Sequence, residues 1–96
     1  MGLIVDVDEL KATLRIETDD EDDFLEGLIA RAQDYCEAFC RCKFGEDAPG
    51  AVKQAVLLLA GHFNEYRTNE EKQVWLSVEM AIKRLLWPYR DVDKLI

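Results

Sequence analysis

Residues 49–67 read PGAVKQAVLLLAGHFNEYR. Val52, Ala55, Val56, Leu59, Ala60 and Phe63 recur at the three- and four-residue spacing of one helix face. Leu57 and Leu58 widen that face until the segment is apolar nearly all round. Such a helix belongs at the centre of a fold, with other elements laid over it. Pro49 suits the first helical position, with Asp47 or Ala48 as the cap before it. The helix is expected to run from about Pro49 to Tyr66 or Arg67. Gly61 inside it predicts close approach by another helix, because glycine has no Cβ.

The segments on either side supply what could cover such a helix. Upstream, ETDDEDDF (17–24) leads into Phe24, Leu25, Leu28, Ile29, Ala32, Tyr35, Cys36, Phe39 and Cys40, an amphipathic stripe over about five turns. Thr18 or Asp20 is expected to cap this helix. The carboxylates of Asp19 to Asp23 crowd its positive end, where the helix dipole favours them. Gly45 in FGEDAPG is expected to close it in a left-handed conformation. Further upstream, Asp6 with Glu9 three residues later forms a capping-box pattern ahead of Val7, Leu10 and Leu14. That short helix should end near Arg15 or Ile16. Downstream, Ser77 with Glu79 predicts the start of a fourth helix, with Val78, Ala81, Ile82, Leu85 and Leu86 on its buried side. Pro88 disfavours helical geometry at Trp87 and should stop it there. Strand-like alternation is nearly absent. The expected fold is all-α, a small bundle of about four helices. One domain spans 1–96, with a helical core over about 6–88 and an extended C-terminal tail over about 89–96.

Bulk properties narrow the function. Ninety-six residues form one core and leave little room for a deep cavity. The N-terminus lacks the basic and apolar regions of a signal peptide, and no run of about 18 apolar residues occurs. A soluble protein made in a cytoplasm is expected, with no membrane partner. The net charge of −8 argues against wrapping nucleic acid, which requires a basic face. An acidic surface suits a passage through which DNA slides without sticking.

Two clusters invite a chemical reading. His62, the single histidine, has Glu65 and Tyr66 three and four residues on, within reach on a helix. No nucleophile or phosphate loop accompanies them, so no catalytic residue is assigned; His62, Glu65 and Arg67 read as groups satisfying helix ends and interfaces. Cys36, Cys40 and Cys42 form a C-x3-C-x-C cluster. Their odd number argues against a disulfide framework, and the two C-x2-C knuckles of a typical zinc site are missing. Cys36 and Cys40 read as small hydrophobes on a buried face. No metal or cofactor is assigned.

The order of the segments carries more than any one residue. VDELKATLRI is followed by DDEDDFLEGLIARAQDYCEAF, then by VKQAVLLLAGHFNEYR, and the last helix ends AIKRLLWPYR. Over about residues 5–90 this resembles the head–tail connector family of tailed bacteriophages, also called DNA-packaging adaptors. Leu28, Ile29, Ala32, Tyr35 and Glu37 match that family's LIxxAxxYxE run. Ala55 to Leu59, His62, Phe63, Glu65 and Arg67 match its AILLLVxHWYENR-like run, and Leu85, Leu86, Pro88, Tyr89 and Arg90 match its LLxPYR ending. Phe63 stands where tryptophan is common, Asn64 where an aromatic is, and Tyr66 where asparagine is.

The resemblance implies a structural function without catalysis. Subunits of this family form a ring, usually of twelve, beneath the portal protein at the head–tail junction of the virion, after assembly in the bacterial host cytoplasm. The ring extends the DNA channel and gives a platform to the head-closure or tail-completion protein. Packaged double-stranded DNA passes through without specific binding. On this reading Trp87, Tyr89 and Arg90 are interface candidates, since aromatic residues and arginine dominate interface hot spots; packing within the monomer competes for Trp87 and Tyr89. Arg67 is a further candidate, pairing across a subunit boundary or within its own chain. Leu95 and Ile96 are candidates because a short tail with apolar ends cannot bury itself locally. Asp19, Asp20, Glu21, Asp22 and Asp23 are candidates for a lumen or docking patch, against the plain reading of a solvated helix cap. Two rival readings stand beside this one: a small acidic module that mimics DNA charge and inhibits a basic host protein, and a metal or redox protein built on the cysteines and His62.

Overall fold

Four α-helices follow one another: α1 (Val7–Leu14), α2 (Asp22–Cys40), α3 (Gly50–Glu65) and α4 (Lys72–Leu86), with a 3-10 turn at Trp87–Tyr89. The structure, a computed structural model, describes residues 3–65 and 72–90, and no strand occurs among them. The all-α bundle expected from periodicity is what forms.

The apolar segment that opened the reading is the central helix. Val52, Ala55, Val56, Leu59 and Ala60 of α3 are fully buried. α3 packs on each of the other three helices, most extensively on α2. From α2 come Leu25, Leu28, Ile29, Ala32, Cys36 and Cys40, from α1 Leu10, and from α4 Ile82 and Leu86. Burying a side chain the size of Leu59 contributes about 1.5–3 kcal/mol. The close approach predicted at Gly61 is present: a Cβ there would lie 3.2 Å from Leu14 Cδ2 of α1.

The ends of α1 follow the local code. Asp6 Oδ1 accepts from the Glu9 N–H at 2.8 Å, and Glu9 Oε1 accepts from the Asp6 N–H at 3.0 Å, completing the capping box. Arg15 closes the helix in the left-handed conformation (φ 60°), and the Ile16 N–H reaches back to the Lys11 carbonyl at 2.9 Å. Just before α1, Ile4 and Val5 are buried, and the Ile4 N–H donates to Gln33 Oε1 on α2 at 2.8 Å.

Other boundaries differ from expectation, each for an identifiable reason. Neither Thr18 nor Asp20 caps α2. Its N-cap is Glu21, without a side-chain cap bond, and two of the nearby carboxylates turn instead to Lys11. The helix ends at Arg41 (φ 62°) rather than at Gly45, four residues earlier than expected. There the Cys42 N–H bonds the Glu37 carbonyl, while Gly45 serves a turn by accepting from the Ala48 N–H. α3 starts one residue after Pro49, whose carbonyl accepts from the Val52 and Lys53 N–H groups. Its expected end at Tyr66 or Arg67 lies outside the described residues. Ser77 is not a cap: α4 begins at Lys72 and passes through it. Glu79, read as a first-turn acid, points across to α2, where it accepts from the Tyr35 hydroxyl at 2.9 Å. Ala81 faces outward rather than into the core, whereas Ile82 and Leu86 are buried. The helix stops at Leu86 and the chain tightens into the 3-10 turn around Pro88.

Leu59 is the largest fully buried side chain of α3. Leu59→Ala is expected to lower stability by about 2–5 kcal/mol in urea unfolding with an unchanged slope. A loss below about 1 kcal/mol would contradict a central α3.

Candidate functional site

The residues matching the connector-like runs fall into two groups, those that build the scaffold and those that reach its surface. Leu28, Ile29 and Ala32 are core. Tyr35 links α2 to α4 through Glu79, which also pairs with Lys83 at 3.5 Å. Burial, followed by the bond to the Glu79 carboxylate, pushes the Tyr35 phenol well above its ordinary pKa, so it stays a donor. Glu37 is a buried carboxylate at the end of α2. Its Oε2 accepts from the Phe44 N–H at 2.9 Å and from Gln33 Nε2 at 3.3 Å, and Lys43 Nζ lies 3.5 Å from Oε1. With Ile4 on Gln33, this chain of bonds ties the N-terminal segment, α2 and the α2–α3 loop together. The i, i+4 spacing of Gln33 and Glu37 was visible in the sequence; that both are buried was not.

The C-terminal turn is packed on its own subunit while keeping much of its apolar surface outside. Arg90 Nε donates to the Phe39 carbonyl at 2.8 Å. Its guanidinium lies 4.6 Å from the Phe39 ring centroid and 5.5 Å from that of Trp87. The Trp87 and Phe39 rings are 6.3 Å apart. Arg90 therefore pins the end of the helical core to the end of α2, satisfying a carbonyl that the helix leaves open. Trp87 nevertheless remains 59% exposed, and Tyr89 is exposed too. The other interface candidates, Arg67, Leu95 and Ile96, lie outside the described residues.

Trp87 is not alone on its face. Leu76 and Met80 stand one turn apart on α4, Trp87 follows in the 3-10 turn at its end, and all three are exposed. The sequence reading missed Leu76 and Met80, although their spacing with Trp87 is an apolar stripe distinct from the buried one. A second apolar surface is an open groove of about 350 Å³ between α1, α3 and α4, lined by Leu14, Leu57, Leu58, Gly61, Glu65 and Val78 among others. His62 also lines it and is otherwise buried, its ring 6.2 Å from that of Phe63. The groove is shallow and open to water, which is poor ground for a reaction that needs an excluded pocket.

The cysteines behave as hydrophobes. Cys36 and Cys40 are fully buried, and burial pushes their thiols up to about 12 and about 11. Both are protonated at neutral pH and poorly nucleophilic. The Cys40 thiol lies 3.8 Å from the Leu86 carbonyl across the α2–α4 contact. Among the described residues no three His, Cys, Asp or Glu side chains are grouped so as to hold a metal ion. No helix there is long and apolar enough to cross a membrane.

The acidic candidates divide. Asp19 and Asp22 both bond Lys11, the latter at 2.9 Å, which joins the entry of α2 to α1. Asp20, Glu21 and Asp23 are exposed beside them. The bonds to Asp19 and Asp22 raise Lys11 to about 12, and the bond to Lys11 lowers Asp19.

A family model described as a phage gp6-like head–tail connector protein matches residues 4–90. The head completion protein gp6 of Enterobacteria phage HK97 is 31% identical over 91 residues, which is 92% of this chain and 83% of that protein. No solved structure matches.

Two outcomes test this arrangement. Glu37→Ala leaves the Phe44 N–H without its acceptor and is expected to reduce stability by about 1–3 kcal/mol. Hydrogen exchange at Phe44 should quicken more than exchange in the middle of α3; equal changes at both would argue against a local staple. The second concerns acid. Because Asp19 is lowered in the folded chain, its contribution is present above the ordinary carboxylate pKa and is lost as pH falls through the folded value. Amides between α1 and α2 should lose protection over that window in wild type and show no such step in Asp19→Asn. With Asp19 so exposed the effect should be small and weaken in salt.

Proposed function

Because this chain belongs to the phage gp6-like head–tail connector family, we propose that it is one repeated subunit of a ring seated beneath the portal protein of a phage head. The ring extends the DNA channel and offers its far side to the head-closure or tail-completion protein. Residues 1–96 act as one unit, delivered to the virion after assembly in the host cytoplasm. The observation that carries this reading is the exposed apolar stripe Leu76, Met80 and Trp87 on a chain matched to the family over residues 4–90. A domain of this size has little reason to leave such a face to water unless another surface covers it. Many of the residues matched to the family, Leu28, Ile29, Ala32, Tyr35 and Glu37 among them, build the scaffold of this subunit, in keeping with a structural role.

The charge supports the same reading. At −8 per chain, a ring of copies carries a strongly negative field, which repels DNA phosphate and lets the duplex slide. Asp20, Glu21 and Asp23 are the exposed members of the acidic cluster and the candidates to face the channel or a docking partner. Trp87 and Tyr89 are the candidates for subunit contacts. Arg90 acts chiefly by bracing Trp87 from behind. The rival reading, a DNA-mimicking inhibitor, gains no support from the relatives found.

Light scattering over a concentration series, with electron micrographs of the largest species, tests the proposal. A closed ring with a hole wide enough for duplex DNA is expected, either alone or after purified portal is added. A chain that stays monomeric at every concentration and does not join the portal would refute it.

A further inference from the structure

The stripe and the groove lie on opposite sides of one helix. Val78, which lines the groove, is two residues from both Leu76 and Met80, and two residues on an α-helix turn through about 200°. Each subunit therefore presents an apolar ridge on one side and an apolar trough on the other. We infer that the two are halves of one contact: the Leu76–Met80–Trp87 ridge of one copy seats in the Leu14–Leu57–Leu58–Val78 groove of the next. This rests on the ring reading above and assigns the surfaces that would make the ring.

Charge favours a second copy as the occupant and orients it. Arg84 is exposed and Lys83 half-exposed beside the ridge, whereas Glu65 is exposed at the groove. Among the described residues of α4 the one acid, Glu79, is held by Tyr35 and Lys83. Ridge on groove brings Arg84 towards Glu65. Ridge on ridge would instead face the Lys83 and Arg84 side chains of two copies against each other. The ridge is also set before binding: Trp87 is braced by Phe39 and Arg90, so less side-chain freedom is lost on docking. A contact between two different surfaces of the same chain repeats from copy to copy and closes into a ring when the rotation allows. A face that paired with itself would stop at a dimer.

Disulfide trapping tests this in full-length chains carrying Cys42→Ser, since Cys36 and Cys40 are buried. Met80→Cys goes on the ridge, and Leu58→Cys or Glu65→Cys in the groove. Circular dichroism checks that each variant is folded. In rings assembled with portal, mixed ridge and groove variants should give a covalent dimer, and the double variant a ladder of higher species. Each single variant should remain unlinked. Self-linking of Met80→Cys would show ridge on ridge and overturn the inference. Rings visible in micrographs but without ridge-to-groove links would overturn it as well, while leaving the ring reading intact. Failure to form rings on the portal would sink both. Independently, Met80→Glu sets an acid against Glu65 and should raise the concentration needed for assembly at least tenfold with the fold unchanged; assembly at the wild-type concentration would count against the contact.

Discussion

α3 is apolar nearly all round, and the rest of the structure depends on covering it. A helix of that composition cannot lie on a surface, so α1, α2 and α4 have to be laid against it from different sides. Gly61 allows α1 to come in close at Leu14. Several polar bonds then hold these covering helices in register with one another. Tyr35 reaches from α2 to Glu79 on α4, Lys11 from α1 to the entry of α2, and Gln33 from α2 to the segment before α1. One hydrophobic requirement thus leads to a set of specific cross-ties.

The covering is incomplete, and the gaps connect fold to function. Leu58 remains 39% exposed on α3, and α4 carries a second apolar stripe directed away from the core. A helix serving two faces pays for the outer one in solubility until something covers it. That tension suits a protein whose working form is an assembly. It also explains why the C-terminal turn is held so firmly: Arg90 fixes Trp87 against Phe39 without hiding it.

What could be read from the sequence was mostly what is local. Asp6 with Glu9 specified a capping box because both partners lie within four residues. Gly61 specified a close approach because few other roles suit a glycine in an apolar helix. The errors came where a distant partner won. Glu79 looked like a first-turn acid for a Ser77 cap, but Tyr35 forty-four residues away claims it. Asp19 and Asp22 looked like dipole partners alone, but Lys11 draws them. Gly45 looked like the left-handed residue closing α2, whereas an arginine, Arg41, takes that conformation where the Cys42 N–H meets the Glu37 carbonyl. For the site, Trp87 and Tyr89 were picked by residue type. Leu76 and Met80 escaped notice because an outward stripe and an inward stripe have the same period, and only the packed helix shows which is which.

Lys11 illustrates how an ion pair changes reactivity as well as stability. Amine-directed reagents such as activated esters attack only the unprotonated form. At 8% exposure and with its pKa near 12, Lys11 offers almost none of that form at neutral pH. Lys43, by contrast, stands exposed on the α2–α3 loop, its ammonium 3.5 Å from Glu37 Oε1. Acylation at Lys11 would therefore report the opening of the α1–α2 corner, giving the protein an internal mass-spectrometric gauge of its own integrity, readable even inside a large particle.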